Sequence, residues 1–247
     1  VAEALRPDTA LVSIMHANNE IGTIQPIAEI ATLTRARGTL LHCDAAQSAG
    51  KVAVNAIELG ADLLTLAGHK FHGPKGIGAL YVRRGTPLSP LNVGADHEHG
   101  LRPGTENVAF IAGLGAAARL ARLGIAEAPA QLRALRDRLH GLLAADIPGL
   151  ALNGHPEMRL PNTLNLSFPG VSGHALLEAA AADVAASTGS ACHAGSQAAS
   201  GVLGAMGLSA ERAAGAVRLS VGRYTSEADV DRAAAALVAA WRKSQSN

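Results

Sequence analysis

The clearest structural signal lies in residues 10–43, which have the sequence ALVSIMHANNEIGTIQPIAEIATLTRARGTLLHC. Short apolar runs at 10–15 and 39–43 flank a stretch in which apolar residues recur at helical spacing. Pro26 suits the first position of a helix, and Gly38 suits its end. This order predicts a parallel strand–helix–strand unit, and apolar runs at 62–67 and 78–82 extend the same sheet. We therefore expect an α/β fold with a mostly parallel sheet.

The second half of the chain predicts a smaller α+β domain. A long helix is predicted at 106–123, and Gly124 followed by Pro129 marks a boundary after it. Further helices are predicted at 130–145 and 174–182, strands at 163–168 and 216–221, and a final helix that begins with the Ser226–Asp229 capping pair. We assign residues 1–123 to a large domain and 124–247 to a small C-terminal domain. Residues 187–201, rich in Ala, Gly, Ser and Thr, are expected to form a mobile loop.

The composition favours a folded chain that binds a small ligand. Hydrophobic residues make up 48% and charged residues 17% of the 247 residues, which excludes a disordered chain. The net charge of +1 offers no electrostatic footprint for nucleic acid or an anionic membrane. We find no signal peptide at the start and no apolar run of the length needed to span a bilayer. Two cysteines cannot form a disulfide framework, so we expect a cytoplasmic protein.

A carboxylate and a lysine follow two neighbouring strands of the predicted sheet. Asp44 comes directly after the strand at 39–43, and Lys70, one of only four lysines, follows the strand at 62–67. In parallel sheets, ligands bind beyond the carboxyl ends of the strands. A lysine there can form a Schiff base and an aspartate can hold a protonated ring nitrogen, which is the pairing that pyridoxal 5'-phosphate (PLP) needs. The spacing also permits an ordinary Asp–Lys ion pair at the sheet edge.

The segment around Lys70 is rich in glycine. Residues 68–78, GHKFHGPKGIG, contain four glycines and one proline, which allow backbone N–H groups and a basic side chain to approach an anion. A hairpin with turn glycines is the alternative. His69 and His72 have a spacing found in metal sites, but no third ligand accompanies them, so we predict no metal site.

Six short motifs resemble those of PLP-dependent cysteine desulfurases and the related selenocysteine lyases of the class V aminotransferase group. In order they are NNEIG at 18–22, HCDAAQS at 42–48, GHK at 68–70, RPGTEN at 102–107, GSAC at 189–192 and RLSVG at 218–222. The motifs extend over nearly the whole chain. The resemblance implies the PLP-dependent transferase fold of type I aminotransferases, with an incomplete large domain, and a homodimer.

The resemblance implies a role for each residue of the cofactor site. Lys70 would form the Schiff base with PLP, and Asp44 would pair with its pyridinium nitrogen. Asn19 and Gln47 would hydrogen-bond the phenolic oxygen, and His69 would hold the phosphate.

Other roles concern the second subunit and the substrate. Thr105 would reach the phosphate bound by the other subunit of the dimer. Arg218, together with Asn19, would bind the substrate carboxylate, for which a planar guanidinium is well suited.

The two cysteines are expected to differ. Cys192 lies in the small-residue segment, where a thiolate could attack the sulfur or selenium of an activated substrate and carry it to an acceptor. Cys43 lies within an apolar strand and is expected to pack in the core.

The sequence departs from the family pattern in three places. Ala67 stands where the family often has a phosphate-binding serine, and His99 replaces a common arginine. Family members also have additional sequence before the position of Val1, including a ring-stacking histidine and a phosphate-site threonine. We therefore expect the N-terminal part of the family's large domain to be absent from this sequence.

Three functions follow as hypotheses. The first is a cysteine desulfurase that converts L-cysteine to L-alanine, leaves a persulfide on Cys192 and passes the sulfur to an acceptor protein. The second is a selenocysteine lyase acting on L-selenocysteine. The third, of a different class, is an inactive fragment that serves only as a folded interaction module.

Overall fold

The computed structural model describes residues 1–189 and 200–246. They form two compact units. The first unit comprises Val1–Ala17 and Gln25–Ile125, and the second comprises Asn18–Ile24 and Ala126–Asn247. Each unit has its own sheet.

The first unit is built on a four-stranded sheet in the order β1 (Leu11–Met15), β2 (Leu40–Asp44), β3 (Leu63–Ala67) and β4 (Gly78–Val82). The first three strands are parallel, and β4 is antiparallel to β3. The helices are α1 (Ile27–Arg35), between β1 and β2, and α2 (Val108–Gly124), at the end of the unit. Short 3-10 turns occur at Ala2–Ala4, Gly68–Phe71 and His97–Gly100. The expected mostly parallel α/β sheet is confirmed.

The alternation of side chains along β2 gives this strand two different faces. Leu41 and Cys43 have no exposed surface and pack in a cluster with Ile27 of α1. The alternate residues His42 and Asp44 point to the opposite face and are half-buried. One face of β2 therefore builds the core, and the other is available for polar chemistry.

The second unit combines a three-stranded antiparallel sheet with helices. Its strands are β5 (Ala151–Leu152), β6 (Thr163–Ser167) and β7 (Ala216–Ser220), in that order. Its described helices are α3 (Ala128–Asp146), α4 (Gly173–Ala179), α5 (Gly201–Ala205), α6 (Ala210–Ala214) and α7 (Glu227–Gln245). Ser226 and Asp229 form the capping box at the start of α7 that the sequence predicts. The core contains fully buried side chains of the sheet and helices, among them Leu143, Leu166, Val217 and Leu237.

A short segment from early in the chain, Asn18–Ile24, belongs to the second unit. The amide of Asn165 donates to the Glu20 carbonyl (3.2 Å), and the Leu160 N–H donates to the Gly22 carbonyl (2.8 Å). Gly22 has a positive φ of 75°, and a Cβ there would lie 3.1 Å from Cβ of Thr163. Both the backbone conformation and the close approach to β6 therefore favour glycine at this position.

Within residues 1–189 and 200–246, no helix taken alone is long and apolar enough to cross a membrane. Only α2 and α3 taken together, across the break between them, meet that test of length and composition.

Candidate active site

Asp44 and Lys70 lie at the carboxyl ends of two neighbouring parallel strands. Asp44 is the last residue of β2 and is in register with Thr65 of β3. Lys70 lies in the 3-10 turn Gly68–Phe71, which directly follows β3. This is the edge of a parallel sheet at which ligands bind.

Within the described residues, the side chain of Asp44 accepts hydrogen bonds through one of its two carboxylate oxygens. Its Oδ1 accepts hydrogen bonds from the Ala46 N–H (2.9 Å) and the Thr65 hydroxyl (3.4 Å). Its Oδ2 accepts no hydrogen bond from the described residues. Among the ion pairs of the described residues, none joins Asp44 to Lys70. The ordinary Asp–Lys ion pair is therefore not formed, and one carboxylate oxygen is available to a ligand.

A second lysine, Lys51, joins the site residues of this unit. Its Nζ donates to the backbone carbonyl of Gln47 at 2.7 Å. Burial, with a further contribution from the positive charge of Lys70, lowers the pKa of Lys51 to about 8. Lys51 therefore contacts the Gln47 backbone, and its charge interacts with that of Lys70. Sequence analysis missed Lys51, whose only signal is its position in the turn that follows Asp44.

A buried histidine supports the strand end that carries Asp44. The His16 N–H donates to the Asp44 carbonyl (2.8 Å), and its ring Nδ1 lies 2.9 Å from the Ser48 hydroxyl. Burial lowers the pKa of His16, which favours the neutral ring. Sequence analysis also missed this pair, because its importance depends on burial.

The remaining two expected cofactor residues of this unit are exposed. His69 precedes Lys70 in the 3-10 turn, and Thr105 precedes α2. Neither side chain hydrogen-bonds another residue in the part of the chain that the structure describes. His69 therefore shares the turn with Lys70, whereas Thr105 makes no contact with the other predicted site residues among the hydrogen bonds of the described residues.

In the second unit, Arg218 is fixed next to Asn19. Arg218 lies on β7, is half-buried, and donates from Nη1 to the Asn19 carbonyl at 2.9 Å. Its backbone N–H donates to the Ser187 carbonyl at 2.7 Å. Burial lowers the pKa of Arg218, and the negative charge of Glu20 opposes this effect. The guanidinium keeps further N–H groups that can bind a carboxylate.

Glu20 is a buried carboxylate that sequence analysis did not single out. Its Oε2 accepts a hydrogen bond from the Ser200 hydroxyl at 2.6 Å. A Cβ placed on Gly189 would lie 3.6 Å from the same oxygen. Glu20 therefore lies close to both residues that flank positions 190–199.

Of the two cysteines, Cys43 is the one that the structure describes. Cys43 is fully buried, and burial together with the nearby Asp44 charge raises its pKa to about 11, so it is an unreactive core residue as expected. Cys192 lies outside the described residues. In the described ranges there is no group of three or more His, Cys, Asp or Glu side chains that could hold a metal ion.

Comparisons with known proteins agree with the fold. The aminotransferase class-V family matches residues 1–233. A curated cysteine desulfurase of Trichormus azollae is 49% identical over 93% of this chain and 58% of its own length. A solved NifS-like protein superposes with a TM-score of 0.87 at 36% identity, over 96% of this chain and 62% of the other. A structure described as SspA in complex with cysteine has a TM-score of 0.72 at 35% identity, over 91% of this chain and 62% of the other.

The sheet and helices are those of the PLP-dependent transferase fold. The chain belongs to the class-V aminotransferase family, which is generally PLP-dependent. It spans 58% of the length of the curated cysteine desulfurase of Trichormus azollae.

Proposed function

We propose that the protein is a PLP-dependent cysteine desulfurase that converts L-cysteine to L-alanine and passes the sulfur to an acceptor protein. Its 49% identity to a curated cysteine desulfurase supports this activity. The observation that carries the proposal is the position of Asp44 and Lys70 at the carboxyl ends of adjacent parallel strands.

The chemistry of the side chains in the first unit fits PLP. Lys70 supplies a primary amine that forms no ion pair within the described residues, and Asp44 supplies a carboxylate oxygen without a hydrogen-bond donor there. Gln47 supplies an amide, and His69 supplies an imidazole next to Lys70. When bound, PLP supplies an electron sink for the bonds at the substrate α-carbon.

Each of these residues has a separate task. Lys70 attaches the cofactor covalently and, as a free amine, moves a proton at the substrate α-carbon. Asp44 holds the proton on the ring nitrogen. Gln47 and Asn19 hydrogen-bond the phenolic oxygen, and His69 binds the phosphate. In the proposed homodimer, Thr105 donates to the phosphate bound by the other subunit.

Substrate recognition and sulfur transfer involve the second unit. Arg218 binds the carboxylate of L-cysteine, and its bond to the Asn19 carbonyl fixes the guanidinium. The Cys192 thiolate attacks the substrate sulfur, so that an S–S bond forms as the substrate C–S bond breaks. The products are L-alanine and a persulfide on Cys192, and no external oxidant is required. A free thiol in this role suits a reducing compartment such as the cytoplasm.

The test combines labelling with product analysis. Borohydride reduction of the protein incubated with PLP should label Lys70, while K70A should remain unlabelled. Wild-type protein should then release L-alanine from L-cysteine, and a comparison with L-selenocysteine measures the substrate preference.

Two matched cysteine variants separate the steps. C192S should keep the absorbance of bound PLP but lose sulfur release, whereas C43S should retain both. Labelling of another lysine would overturn the assignment of Lys70, and sulfur release by C192S at the wild-type rate would overturn that of Cys192.

A further inference from the structure

Three polar side chains connect Asp44 to the outer strand of the first unit's sheet. The Ser13 hydroxyl lies 2.7 Å from His42 Nδ1, and His42 Nε2 lies 3.3 Å from the Thr65 hydroxyl. The same Thr65 hydroxyl lies 3.4 Å from Asp44 Oδ1. We call this series of hydrogen bonds the relay. It crosses β1, β2 and β3 and ends at Asp44, the proposed partner of the cofactor ring.

Strand register places these side chains on one face. Ser13 pairs with His42 between β1 and β2, and Asp44 pairs with Thr65 between β2 and β3. His42 and Asp44 are two residues apart on the same strand, so they share the face opposite to the core residue Cys43.

The number of donors and acceptors on each side chain fixes which group donates in each hydrogen bond of the relay. Asp44 is an acceptor when ionised, so the single hydroxyl proton of Thr65 is donated to Oδ1. Thr65 must then accept from His42, which requires a proton on Nε2. In the neutral ring, Nδ1 is consequently the acceptor, and Ser13 donates to it. Every hydrogen bond of the relay is thus donated in the direction of the Asp44 carboxylate.

We propose that Thr65 and His42 are positioning residues for Asp44, with Ser13 fixing the tautomer of His42. The inference rests on the proposed function, because it assigns Asp44 to the cofactor ring. Thr65 and Ala46 hold Oδ1, so that Oδ2 is presented to the ring nitrogen.

The first experiment needs no cofactor. Long-range proton–nitrogen NMR of 15N-histidine protein at alkaline pH reports the tautomer of each neutral ring, and H42Q assigns the His42 signal. We expect the Nε2–H form in the wild type and in T65S. In T65V, Nε2 loses its acceptor while Nδ1–H can still donate to Ser13, so the population should shift toward the Nδ1–H form.

Two results of this experiment would overturn the relay. One is an Nδ1–H tautomer in the wild type, and the other is the same tautomer population in T65V and T65S. Should T65V fail to fold, S13A at an exposed position replaces it. It should move the His42 Nδ1 nitrogen shift, because that nitrogen loses its donor, and an unchanged shift would contradict the relay.

The second experiment uses the protein with PLP. T65V should weaken PLP binding by about tenfold, the expected size for a lost hydrogen bond to a charged group, and should shift the absorption maximum of the bound cofactor. T65S should restore both values to within about twofold of the wild type. T39V is the matched control, because its hydroxyl donates to the Thr9 carbonyl in the same unit and not to Asp44.

The two experiments separate the inference from the function on which it rests. Equal affinity and absorbance in T65V and wild type would refute the positioning role. Failure of the wild-type protein to bind PLP would refute the proposed function, while the tautomer measurement would still decide whether the relay exists.

Discussion

Replacing Lys51 with methionine should remove a pH-dependent contribution to the stability of the first unit. Lys51 has a pKa of about 8 in the folded protein, against an ordinary value of 10.5, because burial and the Lys70 charge disfavour its protonated form. Between these two values the unfolded chain binds more protons than the folded one. The contribution of Lys51 to the free energy of unfolding should therefore rise as the pH increases from about 8 toward 10.5.

The two pKa values set the upper limit of the effect. At about 1.4 kcal/mol per pKa unit, their difference corresponds to about 3 kcal/mol. Lys51 is only partly buried, so solvent screening reduces this contribution, and we expect about 1–2 kcal/mol. Below pH 8, K51M gains stability relative to the wild type because it has no buried charge at this position. This gain is partly offset, because the Gln47 carbonyl loses its hydrogen-bond donor at a cost of about 1 kcal/mol.

Urea unfolding of wild type and K51M at several pH values between about 7 and 10 measures the difference directly. The free energy of unfolding of the wild type should rise by about 1–2 kcal/mol relative to that of K51M across this range, because K51M lacks the Lys51 amine while all other titratable groups are common to both proteins. K75M is the matched control, since Lys75 is an exposed lysine of the same unit and should give a curve parallel to the wild type. Parallel curves for K51M and wild type would show that Lys51 is not buried as a charge.

Two further predictions concern the cores. Cys43 should resist iodoacetamide in the native protein and react only after unfolding, because it is buried and its pKa is raised to about 11. Peptide mass spectrometry measures the alkylation, and alkylation at the rate of a free thiol would contradict the burial of Cys43. Leu166→Ala should destabilise the second unit by about 2–5 kcal/mol in urea unfolding. The control Leu142→Ala, at an exposed position, should cost less than about 1 kcal/mol. Equal costs would place Leu166 outside the core.

The elements with local signals could be predicted from the sequence. The strand predicted at 163–168 is β6 (Thr163–Ser167), and the helix predicted at 106–123 is α2 (Val108–Gly124). Helical and strand periodicities operate within one element, so they need no knowledge of the partner. Two-residue β5 and the five-residue helices α5 and α6 are too short to show a period, and none of them was predicted.

The direction of β4 agrees with the hairpin that the sequence left open as an alternative for residues 68–78. A parallel connection requires a crossover of about a dozen residues, usually with a helix. The glycine-rich segment between β3 and β4 carries only a 3-10 turn, Gly68–Phe71, and the two strands are antiparallel. Lys70 therefore lies in a short return connection at the sheet edge.

The placement of Asn18–Ile24 could not be predicted in the same way. The segment has no strand or helix period, and its partners include Leu160, Asn165 and Arg218, more than a hundred residues away in sequence. Backbone groups make several of these bonds, so side-chain identity carries little information about them. The same holds for Glu20 and Ser200, whose contact appears only after folding.

The candidate site illustrates where the limit of prediction lies. Asp44 and Lys70 could be found because Asp44 ends one strand and Lys70 closely follows another, and strand ends are visible in the sequence. Thr65 and His42 lie within strands that look like core, and only the register shows that they share a face with Asp44. Because successive residues of a strand point to opposite faces, a polar residue every second position on adjacent parallel strands forms a continuous polar surface once the register is known. The residues that follow the strands determine which ligand can bind, and the polar residues inside the strands determine how Asp44 is oriented toward it.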